Sequence, residues 1–235
     1  MRLDRMLTST GLLSRSEAAK AARGGRLTVN DKVIRDATLH IDPERDIVKL
    51  DGEIVVYRKF HYIMLNKPKG YVSATEDGRD PTVLELLPEQ LQRLDLFPCG
   101  RLDKNTLGLM LLTDNGELAH RLLSPRRHVT KEYRFECRRE VSDAEKEELE
   151  SGITLADGYT TLECEIELDE DRLRGLIRLH EGKYHQIKRM FGAAGDNRII
   201  YLERVSFGPL KLDPTLGRGE WRYLTDDEIK ELEKL

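Results

Sequence analysis

Residues 100–116, GRLDKNTLGLMLLTDNG, place three charged side chains shortly before a run of apolar residues. Asp103 follows Arg101 by two residues, and the run LGLMLLT that comes next is typical of a buried strand. A carboxylate at the end of a rigid strand can act as a nucleophile or as a general base. The same residues also fit a plain turn, because Asp commonly stabilises turns.

Three other residues have the chemistry to assist such a carboxylate. Tyr133 lies in KEYRFEC, which predicts a strand, and from its position alone it fits an ordinary half-buried sheet aromatic. Lys188 and Arg189 lie in KYHQIKRMFGAAG, which predicts a basic helix ended by glycine. A cation keeps a carboxylate ionised in a dry pocket, although these two residues also fit a solvated basic face. Adjacent helix positions cannot both face Asp103, so the choice between them stays open.

The sequence lacks the patterns of metal and nucleotide sites. There is no HExxH, no phosphate loop and no GxGxxG, and no two of the six histidines have the spacing of a metal pair on one helix face. The cysteines at 99, 137 and 164 are widely spaced, which indicates small apolar side chains in a reducing compartment and not a disulfide framework. We therefore expect no metal site.

The charge is unevenly distributed along the 235 residues, although the net charge is only −4. Residues 1–35 hold eight Lys/Arg against three acids, and residues 121–134 hold five against one. Residues 139–171 reverse this, with thirteen acids against two basic residues. A basic face indicates a phosphate-rich partner, the alternative being an ordinary solvated surface.

The chain has no apolar run long enough to span a membrane, and its first residues lack the apolar core of a signal peptide. These features favour a cytoplasmic protein with no membrane partner. The length suggests one large domain, or a large and a small one.

The first 55 residues read as a miniature α/β module. Two short basic helices are predicted, the second with Ser14 and Glu17 at capping-box spacing, and two hairpins follow with turns at 30–31 and 51–52. The remaining sequence predicts more strands than helices. TTLECEIEL at 160–168 alternates strictly and RLRGLIRL at 172–179 is its expected hairpin partner. The whole is an α+β fold: a small N-terminal module at residues 1–57 and a larger domain at 58–235 with a mixed, mainly antiparallel sheet.

The N-terminal pattern resembles a known RNA-binding domain. SRSEA, GGRLTVN and the strand that follows match the domain named after ribosomal protein S-four. That resemblance implies RNA binding without implying catalysis.

The larger domain resembles the RsuA-type pseudouridine synthases. GRLDKNTLGLMLLTDNG, KEY and EGKYHQIKRMF occur in the family's order, and MLNKPKGYVSAT, SPRRHVTKEY and GEWRYLTDDEI fit as well. Asn115 in TDNG departs from the family pattern, which usually has Asp at this position. The position lies in a turn, where Asn serves as well as Asp.

The resemblance implies roles for the matching residues. Asp103 would be the catalytic carboxylate, Tyr133 would stack on the target uracil, Lys188 would pair with the carboxylate, and Arg101 would approach the RNA backbone. Isomerising uridine to pseudouridine needs no redox change and no hydrolysis, so no cofactor is expected. The RNA contacts expected from the basic segments and the motifs together are Arg2, Arg15, Lys20, Arg23, Arg26, Arg101, Arg126, Arg127, Lys131, Lys183, His185, Gln186 and Arg189.

The form of EGKYHQIKRMF and YIMLNKPKG is closer to family members that act on 16S rRNA than to those that act on 23S rRNA. The resemblance therefore implies a monomeric enzyme that modifies 16S rRNA in a partly assembled small subunit. Two alternatives are a 23S enzyme and a non-catalytic RNA-binding assembly factor. An RNA methyltransferase is disfavoured, because it needs a glycine-rich nucleotide turn after a strand.

Overall fold

The computed structural model describes residues 1–124, 127 and 129–235. The chain divides into two compact units, one formed by Met1–His61 with Leu87–Leu96 and the other by Tyr62–Leu86 with Phe97–Leu235. The domain boundary at residues 57–58 stays a prediction.

The first unit begins with two helices and continues with a small antiparallel sheet. The helices are α1 (Leu3–Ser9) and α2 (Arg15–Arg23), and the strands are β1 (Leu27–Val29), β2 (Lys32–Ile34), β3 (Val48–Leu50) and β4 (Glu53–Ile54). The strand order is β2-β1-β3-β4. The short helix α3 (Glu89–Gln92) belongs to the same unit.

Local sequence explains this unit well. Ser14 and Glu17 form the predicted capping box at the start of α2. Asn30 and Asp31 both have positive φ, as a tight hairpin turn requires, and Asp51 and Gly52 do the same between β3 and β4. The two helices pack their apolar faces against Leu27 and Val48 of the sheet, and their basic side chains remain on the surface. The buried helix residues are Leu3, Met6, Leu7, Ala18, Ala21 and Ala22.

The second unit is built on one large sheet. Its strands are β5 (Tyr62–Lys67), β6 (Phe97–Pro98), β7 (Leu107–Thr113), β8 (Lys131–Cys137), β9 (Glu165–Leu168), β10 (Arg174–Leu179), β11 (Ile199–Phe207), β12 (Leu210–Lys211) and β13 (Trp221–Tyr223). The order is β13-β5-β7-β11-β8-β10-β9, with β12 beside β11 and β6 beside β7. Only the β7–β11 pair is parallel within the described part of this sheet, so the predicted mixed, mainly antiparallel sheet is confirmed.

The helices of this unit begin at recognisable caps. They are α4 (Gly116–Leu123), α5 (Asp143–Ser151), α6 (Gln186–Gly195) and α7 (Asp226–Glu233), with a 3-10 helix at Val83–Leu86. Asn115 caps α4, while Ser142 with Glu145 and Thr225 with Glu228 form capping boxes for α5 and α7. No helix in the described ranges is long and apolar enough to cross a membrane.

The central strand β7 is buried along its whole length. One face packs Leu109 and Leu111 against Met64, Leu118 and Phe207, and burying each such side chain stabilises the fold by about 1.5–3 kcal/mol. Gly108 lets the backbone of β11 approach, since a Cβ there would lie 2.3 Å from the Arg204 carbonyl oxygen. This rigid strand carries the loop that precedes it.

Two predicted elements are wrong in their extent. The strand predicted at 160–168 pairs only over Glu165–Leu168, and Leu162 is 43% exposed and does not face inward with Cys164 and Ile166. Residues 161 and 162 leave the ladder because their backbone amides donate to the Ile153 carbonyl and to the Glu181 carboxylate. The helix predicted from residue 183 begins only at Gln186, because His185 takes a left-handed conformation with φ 49°.

Cys99, Cys137 and Cys164 are buried and free of disulfides, as predicted.

Candidate active site

Asp103 lies in a tight loop that leads into β7. Gly100 has φ +87° at the start of the loop, and the amide of Thr106 donates to the Asp103 carbonyl at its end. Leu102 is buried between them, and the Ser73 hydroxyl both donates to its carbonyl, at 2.8 Å, and accepts from its amide, at 3.0 Å. The backbone on both sides of Asp103 is therefore fixed.

Lys67 holds the same loop from beneath. Its side chain is fully buried at the end of β5, and Nζ lies within 3.2 Å of the carbonyl oxygens of Pro68, Asp103, Lys104 and Thr106. An ammonium has three donors, so these four oxygens saturate it. Burial lowers the Lys67 pKa to about 8, opposed by the nearby charge of Asp103.

The Asp103 carboxylate faces the side chains of Lys188 and His185, both in the 183–195 segment. Lys188 Nζ donates to Oδ2 at 2.7 Å, and His185 Nε2 lies 3.5 Å from Oδ1. The Asp103 side chain is 26% exposed and that of Lys188 is 32% exposed. The carboxylate is thus partly desolvated, paired with a cation and still open to a ligand.

The geometry decides between the two candidate partners. Arg189 points away from Asp103 and pairs with Asp157 at 2.5 Å. Lys188, one residue earlier on α6, is therefore the ion-pair partner of Asp103 in this structure.

Tyr133 lines the same cavity as Asp103, Lys188 and Arg101. It lies on β8, opposite Ile177 of β10 and Arg204 of β11, and is 8% exposed. Strands on both sides of β8 fix its position. A planar ring in the wall of a cavity that also contains a carboxylate is suited to hold a flat heterocycle.

A hydrogen-bond network shapes the loop before α6. The Glu181 carboxylate accepts from the Tyr159 hydroxyl, from the Leu162 amide at 3.0 Å and from Gln186 Nε2 at 2.6 Å. Gln186 also accepts from the Lys183 amide at 2.9 Å. Because Gln186 is only 4% exposed and its amide group is committed to this network, we revise its predicted RNA contact to a positioning role.

The structure distributes the other expected RNA contacts over both units. Arg15, Lys20 and Arg23 are exposed along α2, whereas Arg2 pairs with Asp4 and Arg26 with Asp51. Exposed Arg101 and Lys183 line the Asp103 cavity, and half-buried Lys131 lines an adjoining one. Arg127 is exposed, while Arg126 lies outside the described residues.

Three side chains that shape the site were not identified from the sequence: Lys67, Glu181 and Tyr159. Lys67 carried a usable signal, because a lysine at the end of the apolar run YIML and directly before Pro68 must be buried or paired. Glu181 and Tyr159 carried none, since their contact joins segments 22 residues apart that no local pattern relates.

The arrangement supports chemistry on a flat, uncharged base without a bound metal. Asp103 can attack or accept a proton, Lys188 supplies the counter-charge, and Tyr133 supplies an apolar face. Within the described residues, no group of three His, Cys, Asp or Glu side chains is placed to hold a metal ion.

Comparison with known proteins places these residues in a family. Residues 61–193 match the model of the RNA pseudouridylate synthase family, and residues 1–48 match the S4 domain. Tyr133, Asp103 and Lys188 all fall within the first match.

Relatives align over almost the entire chain. An uncharacterized RNA pseudouridine synthase of Bacillus subtilis is 43% identical, covering 97% of both chains. The ribosomal small subunit pseudouridine synthase A of Escherichia coli K12 is 37% identical over 97% of this chain and 98% of its own, and that of Vibrio cholerae is 38% identical over the full length of both.

A crystal structure of a pseudouridylate synthase superimposes with a TM-score of 0.70, at 34% identity and with 99% of each chain covered. The predicted order of an N-terminal S4-type module and a larger catalytic domain is thus confirmed. The chain belongs to the RNA pseudouridylate synthase family and is a pseudouridine synthase of the RsuA type.

Proposed function

We propose that this protein isomerises a specific uridine of 16S ribosomal RNA to pseudouridine, with Asp103 as the catalytic carboxylate. The observation that carries the proposal is the 2.7 Å ion pair between Asp103 and Lys188 in a cavity walled by Tyr133. The choice of RNA is supported by relatives of 37–38% identity that are named for the ribosomal small subunit.

The reaction begins with extraction of the uridine from its surroundings. Unstacking costs a few kcal/mol, and stacking on an aromatic ring returns about 1–3 kcal/mol. Tyr133 is placed to supply that ring, and Arg101 is exposed at the cavity, where it can contact the strand. The flipped base then lies in the cavity that contains the Asp103 carboxylate.

Asp103 then assists the cleavage of the N-glycosidic bond, either as a nucleophile or as a base. The detached uracil turns within the cavity and its C5 forms the new bond to C1′ of the sugar. The proton on C5 is then lost and N1, whose bond to the sugar has broken, takes up a proton, so the composition is unchanged. Lys188 supplies a counter-charge to the carboxylate, and Lys67 and Ser73 hold the loop in place through its backbone. The substrate and product have the same composition, so the proposed reaction needs no cofactor.

The remaining residues serve RNA binding. Exposed cations on α2 of the S4 module and beside the cavity contact phosphates, which position the RNA without reading its sequence. A uridine in irregular, accessible RNA is the easiest to flip, so we propose that a monomer acts on a partly assembled small subunit in the cytoplasm.

Mapping of pseudouridines tests this function. Purified protein is incubated separately with 16S and 23S transcripts and with precursor particles, and carbodiimide-labelled sites are read by primer extension. Modification of one 16S site, absent from a strain that lacks the gene, is the expected result. Modification confined to 23S rRNA would overturn the choice of substrate, and a protein that binds rRNA without modifying it would be an assembly factor.

A further inference from the structure

A second cavity adjoins the one that contains Asp103. It has a volume of about 280 Å³, and the two cavities share five residues in their walls: Arg101, Tyr133, Glu181, Gly182 and Lys183. At about 30 Å³ for each water molecule, this volume corresponds to roughly nine waters, which is room for a phosphate group. The side chains that distinguish this cavity are Lys131, Arg204 and Phe207.

Arg204 is a buried cation without a carboxylate partner. Its side chain lies on β11 and is 1% exposed. Nε donates to the Leu109 carbonyl at 2.8 Å, and the guanidinium lies 5.1 Å from the centre of the Phe207 ring. It makes no ion pair with any residue that the structure describes, although removing a charge from water without such a partner is costly.

The absence of a partner is unusual in this domain. Arg178 contacts three carboxylates, Arg222 contacts Asp213 and Glu228, and Arg218 pairs with Glu203, the residue next to Arg204. Acidic side chains are therefore plentiful around these partly exposed arginines, whereas none of the described ones reaches Arg204, which is fully buried.

Lys131 adds a second positive charge to the same cavity. Nζ donates to the Val129 carbonyl at 2.7 Å and lies 5.8 Å from the Phe207 ring centre. Burial and the charge of Arg204 lower the Lys131 pKa to about 8, and burial raises the pKa of neighbouring Cys99 to about 11, so the thiol is neutral. Among the described residues of the cavity wall, Glu181 alone is acidic, and its oxygens already accept three hydrogen bonds.

We propose that this cavity is an anion subsite in which Lys131 and Arg204 bind a phosphate of the RNA strand next to the uridine held at Asp103. The proposal rests on the proposed function, because only a flipped nucleotide brings its strand to both cavities. Among the described residues the two cations contact only uncharged acceptors, the Leu109 and Val129 carbonyls and Met110 Sδ. An RNA phosphodiester would supply the negative charge, on oxygens that accept from ammonium and guanidinium groups. The subsite anchors the strand while Asp103 acts on the base.

The test compares variants by the salt dependence of RNA binding. The RNA-binding constant is measured between about 0.05 and 0.3 M salt with an rRNA fragment that wild type modifies. The variants are Lys131→Gln, Arg204→Gln and Arg204→Lys. Loss of one phosphate contact should flatten the slope of log K against log salt by about 0.7, which is about fivefold in affinity at 0.1 M. Arg204→Lys should retain most of the slope. Arg174→Gln is the matched control, because Arg174 pairs with Asp171 on the same sheet and lines neither cavity.

If Arg204 is only structural, its replacement should lower the melting temperature and leave the salt slope unchanged in every folded variant. That result would overturn the proposal. If Arg204→Gln does not fold, Lys131→Gln decides, since Lys131 is only half-buried. Inorganic phosphate should compete with RNA for wild type more than chloride does at equal ionic strength, and this difference should vanish in Lys131→Gln. If inorganic phosphate binds but the variants bind RNA as wild type does, the site takes free phosphate and the RNA proposal fails. Wild type that forms no pseudouridine in any rRNA would refute the proposed function instead.

Discussion

Replacing Lys188 by Met should slow pseudouridine formation without weakening RNA binding to the same degree. The Lys188 ammonium is 2.7 Å from the Asp103 carboxylate and makes the shortest contact to it in the structure. Methionine keeps the length of the side chain and removes its charge. The carboxylate would then have lost its ion-pair partner, and its remaining side-chain contacts among the described residues would be His185 Nε2 and Thr106 Oγ1, each at 3.5 Å.

The size of the effect follows from the contact. A hydrogen bond to a charged group contributes about 1.5–3 kcal/mol, and exposure of the two side chains by 26% and 32% favours the lower part of that range, since water screens the pair. A loss of about 1.5–2 kcal/mol corresponds to a rate lowered about 13- to 30-fold.

The assay is single-turnover release of tritium from RNA labelled at C5 of uridine, because the isomerisation does not change the mass. Filter binding of the same RNA measures affinity in parallel, and a change in rate without a change in affinity identifies an interaction made in catalysis. Arg189→Met is the matched control. Its partner is Asp157 and not Asp103, so its rate should remain within about fivefold of wild type, which corresponds to the roughly 1 kcal/mol upper limit of a largely exposed ion pair.

A normal rate in folded Lys188→Met would refute this reasoning. If the rate fell in Arg189→Met instead, Arg189 would be the functional partner and the orientation of α6 would differ in the RNA complex. Normal rates in both variants would remove the ion pair from the mechanism.

Three further changes test other parts of the account. Tyr133→Phe should bind the target RNA almost as well as wild type, because Phe keeps a stacking face. Tyr133→Leu should bind it less tightly by about 1–3 kcal/mol, measured by filter binding. Equal activity in both variants would make Tyr133 a plain sheet residue. Removing residues 1–55 should weaken RNA binding and flatten its salt dependence while leaving catalysis on a saturating fragment, and unchanged binding at moderate salt would refute the role of the S4 module. Activity should fall as the pH rises through about 8, where Lys67 and Lys131 lose their protons. Their folded-state pKa values lie below the unfolded value of 10.5, so above pH 8 the unfolded chain binds more protons than the folded one. The titration of these two lysines therefore raises the free energy of unfolding as the pH rises. An activity loss that parallels a falling melting temperature between pH 7.5 and 9 would contradict the explanation.

The sequence predicts the framework of the site because the relevant signals are local. The apolar run at 107–113 forms β7, KEYRFEC forms β8, and the glycine that follows GAA ends α6. Tyr133 lies on β8 and Lys188 on α6, and Asp103 lies in the loop directly before β7. Capping boxes and hairpin turns were also predictable, since a few neighbouring residues determine them.

What the sequence could not supply depends on contacts between distant segments. The four carbonyls around Lys67 and the bonds from the amides of residues 161 and 162 to Ile153 and Glu181 exist only in the folded domain. The alternation in TTLECEIEL predicted a full strand because period-2 patterning does not reveal that two backbone amides have other acceptors. Likewise, helix periodicity placed Lys188 and Arg189 together, and only the folded domain shows that Lys188 faces Asp103 while Arg189 pairs with Asp157.

The measurement that most directly tests the central claim is pseudouridine formation by Asp103→Asn. Asparagine has nearly the shape of aspartate, and Lys67 and Ser73 hold the loop through backbone atoms, so the fold should survive, which a melting curve checks. The amide can act neither as a nucleophilic oxyanion nor as a general base. We expect RNA affinity close to wild type and no tritium release or carbodiimide-reactive product. A folded Asp103→Asn protein that forms pseudouridine at a rate near wild type would contradict the account.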